Sequence, residues 1–298
     1  MKIPSRSLFV IVGLLTFTNS CQAKSKKLEA YAKFQSKEIN ESSGFVKSRT
    51  LANTYWTHND SGDFARIFAV TRDGQTIQPE WDADSYKGLK IGDAINIDWE
   101  ELAMDSNGNL YIGAFGNNAN TRKDLAVYKI REPNPIEQNS TRTLKTIPFA
   151  YPDQTAFPPS KRNFDCEAFF VSNEKLYFLT KHRSDTSTKL YRLDTEDSDS
   201  INELTYINDF EIGAQVTGAD SSPDGSKIAV LTYKSIWVFH KPESSDNYLN
   251  GEAFRLKIKA GQCEAICWDD EETLIVTNEG MELFEIKESE LSAYNPDE

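Results

Sequence analysis

Along this chain, apolar residues come in short alternating runs separated by Asn, Asp, Gly and Ser, and no useful stretch carries a helical period. That pattern predicts strands joined by tight turns. Glu41 to Val46 and Thr54 to Thr57 form a first pair. Arg66 to Thr71 continues to Asp73-Gly74, a hairpin-turn dipeptide, and a fourth strand is expected near Thr76 to Trp81. The order repeats in a second unit with Ile95 to Met104, Leu110 to Phe115, Leu125 to Ile130 and Thr143 to Tyr151. A third unit runs through Phe164 to Val171, Lys175 to Thr180, Lys189 to Leu193 and Glu203 to Ile212. A fourth begins at Val216 to Ser222, turns at Pro223-Asp224-Gly225, and continues with Lys227 to Tyr233, Ser235 to Phe239 and Phe254 to Ile258. The fifth has only three strands, Ala265 to Trp268, Thr273 to Thr277 and Met281 to Ile286.

Meanders of four strands recurring every ~45 to 70 residues are the signature of a propeller. The fold expected is therefore all-β, a five-bladed propeller. The strand missing from the fifth unit is supplied by Ala30 to Phe34, which closes the ring by pairing the N-terminal strand with the C-terminal unit. Six blades are the alternative, with Pro79 to Asn96 and Glu132 to Arg162 as the stretches that could hide further strands.

Composition supports a packed core: 39% of residues are hydrophobic, with 17 Phe, 12 Tyr and 5 Trp, which argues against disorder of the whole chain. Residues 1–20 read as an export signal, because Lys2 and Arg6 precede the apolar run Leu8 to Leu15, too short to span a bilayer. Cleavage before Cys21 would give a lipoprotein, and cleavage after Ala23 a soluble secreted or periplasmic form. Residues 21–29 are then a Lys-rich tether and 30–298 one propeller domain. Losing Lys2 and Arg6 takes the formal net charge from −13 to −15. Such a surface argues against nucleic acid or an anionic membrane as the main partner. A monomer is expected, touching a membrane only through a lipid on Cys21. Cys166, Cys263 and Cys267 show no metal-ligand spacing, and Cys263 and Cys267 lie about 13 Å apart along a strand, too far for a disulfide; all three read as buried thiols.

The candidate chemistry follows from topology. In a meander blade the start of the innermost strand and the end of the second lie side by side at one face. Polar marks collect there: Glu41, Glu100, Glu167, Asp220 and Glu264 at first-strand starts, with Asp98 and Asp165 two residues earlier in their units. At second-strand ends stand His58, Asn59, Asp60, Asn117, Asn118, Lys181, Tyr233, Asn278 and Glu279. A ring of carboxylates would have its pKa values raised by burial and mutual repulsion. A hard cation compensates economically, and calcium suits an inventory rich in oxygen donors. The metal ligands expected are Glu41, Asp60, Glu100, Asn117, Glu167, Asp220 and Glu264. Zinc is disfavoured by a total of three histidines in no motif. Equally, a Glu repeated at each inner strand could simply cap backbone N–H groups of the next blade and set register. The run Thr57 to Asp63 could be a plain Asx-type turn.

Glu41-Ser-Ser-Gly-Phe, Trp56 to Asp63, Asp98-Trp-Glu-Glu-Leu-Ala103, Tyr111 to Asn118, Thr217 to Gly225 and Gln262-Cys-Glu-Ala-Ile266 together resemble a group of exported bacterial β-propellers, related in style to those with NHL or WD40-like repeats. That resemblance implies a fold and no reaction. A looser similarity, to propeller hydrolases such as paraoxonase-like lactonases and esterase-like phytases, implies a calcium ion in the central tunnel. No GxSxG elbow, Gly-rich phosphate loop or HExxH is present. Two functions are therefore expected. One is a binding propeller whose acidic mouth holds a cation and recognises a small molecule or protein. The other is a metal-dependent hydrolase of esters, lactones or phosphoesters, with His58 or Glu100 as the catalytic residue.

Overall fold

The computed structural model describes residues 24–296 as five sheets set around one axis, each an antiparallel meander at its centre, a five-bladed β-propeller. The export segment, Cys21 and the cleavage position at Ala23 lie outside the described residues. The innermost strands are Ser42–Lys47, Glu101–Met104, Asp165–Ser172, Val216–Ser221 and Cys263–Trp268, in blades 1 to 5. Second strands are Tyr55–Asn59, Asn109–Ala114, Lys175–Lys181, Lys227–Thr232 and Thr273–Asn278. In the fifth blade Ala32–Lys33 pairs antiparallel with Glu282–Lys287, so the N-terminal strand closes the ring as expected. Just before it, Lys26–Lys27 runs parallel to the outer strand Ala253–Lys259 of blade 4, and Leu28 is buried between blades 4 and 5.

The two stretches that left room for a sixth blade are used differently. Thr76–Ile77 forms a two-residue pairing only, Glu80–Asp82 is a 3-10 turn with Trp81 exposed, and the outer strand of blade 1 is Leu89–Ile91. Ser140–Thr141 then pairs with it in parallel. Glu203, expected to open blade 3's outer strand, instead belongs to Asn202–Glu203, which extends blade 2 beside Thr143–Ala150.

Apolar residues alternate along each strand because one set faces the blade before and the other the blade after. The core accordingly divides into five clusters, each sandwiched between neighbouring blades. Phe115, Phe149, Phe169 and Phe178 meet between blades 2 and 3, and Phe34, Phe45, Tyr55 and Phe68 seal the first blade against the fifth. Trp56, Trp99, Trp237 and Trp268 are fully buried packing residues, and Cys166, Cys263 and Cys267 are free buried thiols.

Candidate functional site

Register is what places side chains at the mouth. Four inner strands skip one residue against their second strands, at Ser43, Glu167, Thr217 and Glu264. In blade 2 the amides of Glu100 and Gly116 donate to Gly113 O and Asp98 O, which puts Glu100 in the same place. Such bulges re-aim a side chain. The level one turn of pleat above is occupied by Glu41, Asp98, Asp165, Gln215 and Gln262. Facing them across the hairpin stand Asp60, Gly116, Lys181, Tyr233 and Glu279, four of them joined by an amide donated back to the inner strand and the fifth, Lys181, by its ladder pairing with Asp165.

Glu41 is therefore level with Asp98 rather than with Glu100, and it is exposed. Ser43 takes the inward place in blade 1, its hydroxyl donating to Glu100 O at 3.0 Å. Asp220 lies three residues beyond Thr217, toward the other end of the tunnel. There its carboxylate accepts from the amides of Trp268 and Ser221, both at 2.9 Å. Asn117 is buried, but Oδ1 accepts from the amides of Thr121 and Arg122 and shapes that loop. The structure does not bring Glu41, Asn117 Oδ1 or Asp220 together with the acidic group at the mouth.

What does come together is Asp60, Asp98 and Glu100, whose carboxylate oxygens lie within 4.8 Å of one another. Asp98 and Glu100 can sit there because blade 2 presents a glycine at the facing position. A Cβ on Gly116 would overlap Glu100 Oε1 and the Asp98 carboxyl. Asp60 is held beside them by Asn96, whose amide donates to Asp60 O at 3.2 Å while its oxygen accepts from Trp99 N. The neighbouring Asp63 is occupied by Arg66, whereas Asp60 has no cation among the described residues and its Oδ1 accepts from the Ser61 amide.

Beyond this trio, Asp165 and Glu167 are paired with cations. Lys181 Nζ lies 3.0 Å from both Glu167 and the Tyr233 hydroxyl, and that hydroxyl donates to Glu264 at 3.2 Å. Arg183 grips Asp165 at 2.6 Å and Glu167 at 3.2 Å. Burial, with Asp165 adding to it, pushes Glu167 up to about 8 despite these cations. Burial and the surrounding carboxylates hold Glu100 well above the usual range, and its carboxyl shares a hydrogen bond with Glu167. Asp98 is pushed up to about 6, by burial first and then by Asp60 and Asp165, against the pull of Arg122 and Arg183. Burial also raises Glu264.

Sequence reasoning named His58 as a candidate base without foreseeing its burial, and it missed Glu101. His58 is wholly buried: Nδ1 contacts Asn59 O at 2.8 Å, its ring meets Trp99 edge-on, and Nε2 has no partner. Glu101, one residue on from Glu100, spans the tunnel. Its Oε1 accepts from the amides of Leu102 and Phe45 at 2.9 and 3.2 Å, and its Oε2 accepts from Ala219 of blade 4 at 3.2 Å. The corresponding residues elsewhere are Gly44, Ala168, Gly218 and Ala265, small enough to leave the axis to this one carboxylate. A single long acidic residue among four small ones was the signal available.

No known family matches the sequence, and no curated protein matches it. Among solved structures, the chain is similar to the hydrazine synthase of Kuenenia stuttgartiensis with TM-score 0.43 and 7% identity, over 79% of this chain and 68% of that one. It is similar to U3-55K with TM-score 0.39 and 10% identity, over 88% of this chain and 64% of the other. A chain of the mitotic checkpoint complex gives 0.38 and 8%, over 99% and 74%. At such identities the likeness says nothing of activity.

Proposed function

We propose that this protein is an exported β-propeller whose mouth binds a divalent cation, calcium by preference, and through it recognises a small ligand or protein partner. The observation that carries this reading is the trio Asp60, Asp98 and Glu100, close together and without an ion pair of its own while the carboxylates next to it are matched to Lys181 and Arg183. Calcium takes oxygens at about 2.3–2.6 Å, so ligands on opposite sides of one ion stand about 5 Å apart. The spread within 4.8 Å fits one ion. The donors are all carboxylates, which favours a hard cation over zinc.

A metal-dependent hydrolase of esters, lactones or phosphoesters would use the same ion. It needs a base beside the reacting atom, and the enclosed ring of His58 supports that role less well than the trio supports binding.

Thermal melts in EDTA and in millimolar calcium test the proposal. A site binding the native state alone adds about 2.7 kcal/mol at a hundredfold excess over Kd. Wild type should melt higher with calcium and Glu100→Gln should not respond. Coincident wild-type curves would sink the reading.

A further inference from the structure

We infer that the ligand completing this ion is an oxyanion, a carboxylate or a phosphate, clamped between the cation and the guanidinium groups of Arg122 and Arg183; this rests on the cation reading above. Three carboxylates leave calcium short of its six to eight oxygens, so the ion's open positions call for further oxygen donors. Two guanidinium groups stand beside the trio. Arg122 and Arg183 both act electrostatically on Asp98. Arg122 is anchored by Gly116 O at 2.7 Å, Ala114 O and Asp124, which fixes the guanidinium beside the glycine against which Asp98 and Glu100 pack. Arg183 spends Nε and Nη2 on Asp165 and Glu167, and Nη1 remains for a ligand. A guanidinium held by other groups is preorganised for carboxylate or phosphate oxygens.

Two buried side chains on the elements that form this mouth hold unspent donors, an observation independent of the charges. Asn117 is 2% exposed, and its Nδ2 donor has no acceptor. It lies in the loop between Gly116 and Arg122, its own amide donating to Asp165. Thr217, 2% exposed, stands at the bulge level of Glu100 and Glu167 with a hydroxyl that has no partner. Unpaired buried donors are costly, and both can donate to an oxyanion. The rim continues the pattern. Lys123 follows Arg122, and the exposed Arg162 accepts through its backbone oxygen from Arg183 N, on a chain whose net charge is −13. An anion arriving at this mouth meets these positive groups directly.

Calorimetric titration of the calcium-saturated chain with succinate, with glycerol 3-phosphate and with glycerol tests the inference. At least one of the two anions should bind one-to-one and lose binding in EDTA, and glycerol should not bind. A response to succinate alone identifies a carboxylate ligand, and one to glycerol 3-phosphate alone a phosphate. Arg122→Gln and Arg183→Gln should each weaken the anion about tenfold or more. Their calcium affinity should be unchanged or raised, because a cation beside Asp98 has been removed; a mere folding defect would lower both. Calcium binding without either anion overturns the inference and leaves the cation site standing. So does anion binding that persists in EDTA, or wild-type affinity in both Arg variants. Absence of calcium binding overturns both readings together.

Discussion

Glu100 and Glu101 are neighbours in sequence, both buried, and they belong to opposite kinds of region. At the waist of the tunnel Glu101 accepts from backbone donors of blades 1, 2 and 4, so its oxygens are satisfied by the fold itself, although burial still holds its pKa well above the usual range. At the mouth Glu100 is surrounded by Asp60, Asp98, Asp165 and Glu167, so its charge is met by nothing in its own shell except a shared proton. A buried carboxylate satisfied by amides stabilises an architecture. One left among its own kind is suited to receiving a cation.

The largest effect expected from this contrast is at Glu101. Glu101→Ala strands three buried N–H groups, each costing about 1–3 kcal/mol, so the variant should lose several kcal/mol in chemical denaturation. Glu101→Gln keeps the shape but turns an NH2 toward one amide donor, and should lose less. If both variants denature like wild type, the waist is not held by this carboxylate.

Next in size is a pH dependence set by the mouth and the lower tunnel. Glu167 rises from 4.5 to about 8 and Asp220 from 3.8 to about 6, both mainly through burial. The folded protein therefore holds protons that the unfolded chain releases, and ion-free stability should fall as pH rises between about 4 and 8. Carboxylates held low, such as Asp269 at about 2 beside Lys47, Tyr55 and Arg72, lose their contribution only below that window. Glu167→Gln should flatten the upper part of the decline and Asp220→Asn the lower part. A stability flat across this range in EDTA would contradict the burial argument.

The fold was legible because each blade repeats a period-two pattern between turn residues, and because a three-stranded fifth unit beside a spare N-terminal strand has one economical solution. The site was legible only in outline. Aligning each unit by its first Glu put Glu41 beside Glu100, whereas the bulge consumes one residue and gives the inward place to Ser43. The pairing of Glu101 with Ala219 crosses the axis between residues far apart in sequence, so no local pattern records it. Arg122 and Arg183 lie in loops of unequal length, where the repeat no longer predicts position. Asn117 and Asn118 were expected opposite Glu100, but the residue that shapes the pocket is Gly116, through the side chain it lacks.

A smaller effect follows at that glycine. Gly116→Ala would push Asp98 and Glu100 apart without removing either, so calcium affinity should drop about tenfold, about 1.4 kcal/mol. The melting temperature in EDTA should change little, because spreading the carboxylates also relieves their repulsion. Unchanged calcium affinity would mean that the ion does not need both residues.

The smallest effect is predicted at Glu41, and it is the sharpest test of the register. Glu41→Gln removes a carboxylate of the same type, at the start of the same kind of strand, from a position level with Asp98. The side chain is exposed, and the loop is held instead by the backbone: Glu41 N donates to Asn59 Oδ1 and Glu41 O accepts from Asp60 N at 3.0 Å. A surface change of this kind shifts stability by no more than about 0.5 kcal/mol, and the calcium titration should overlay that of wild type. Loss of calcium binding in Glu41→Gln would move the ion to blade 1 and remove the distinction between the ring of like residues and the three that meet.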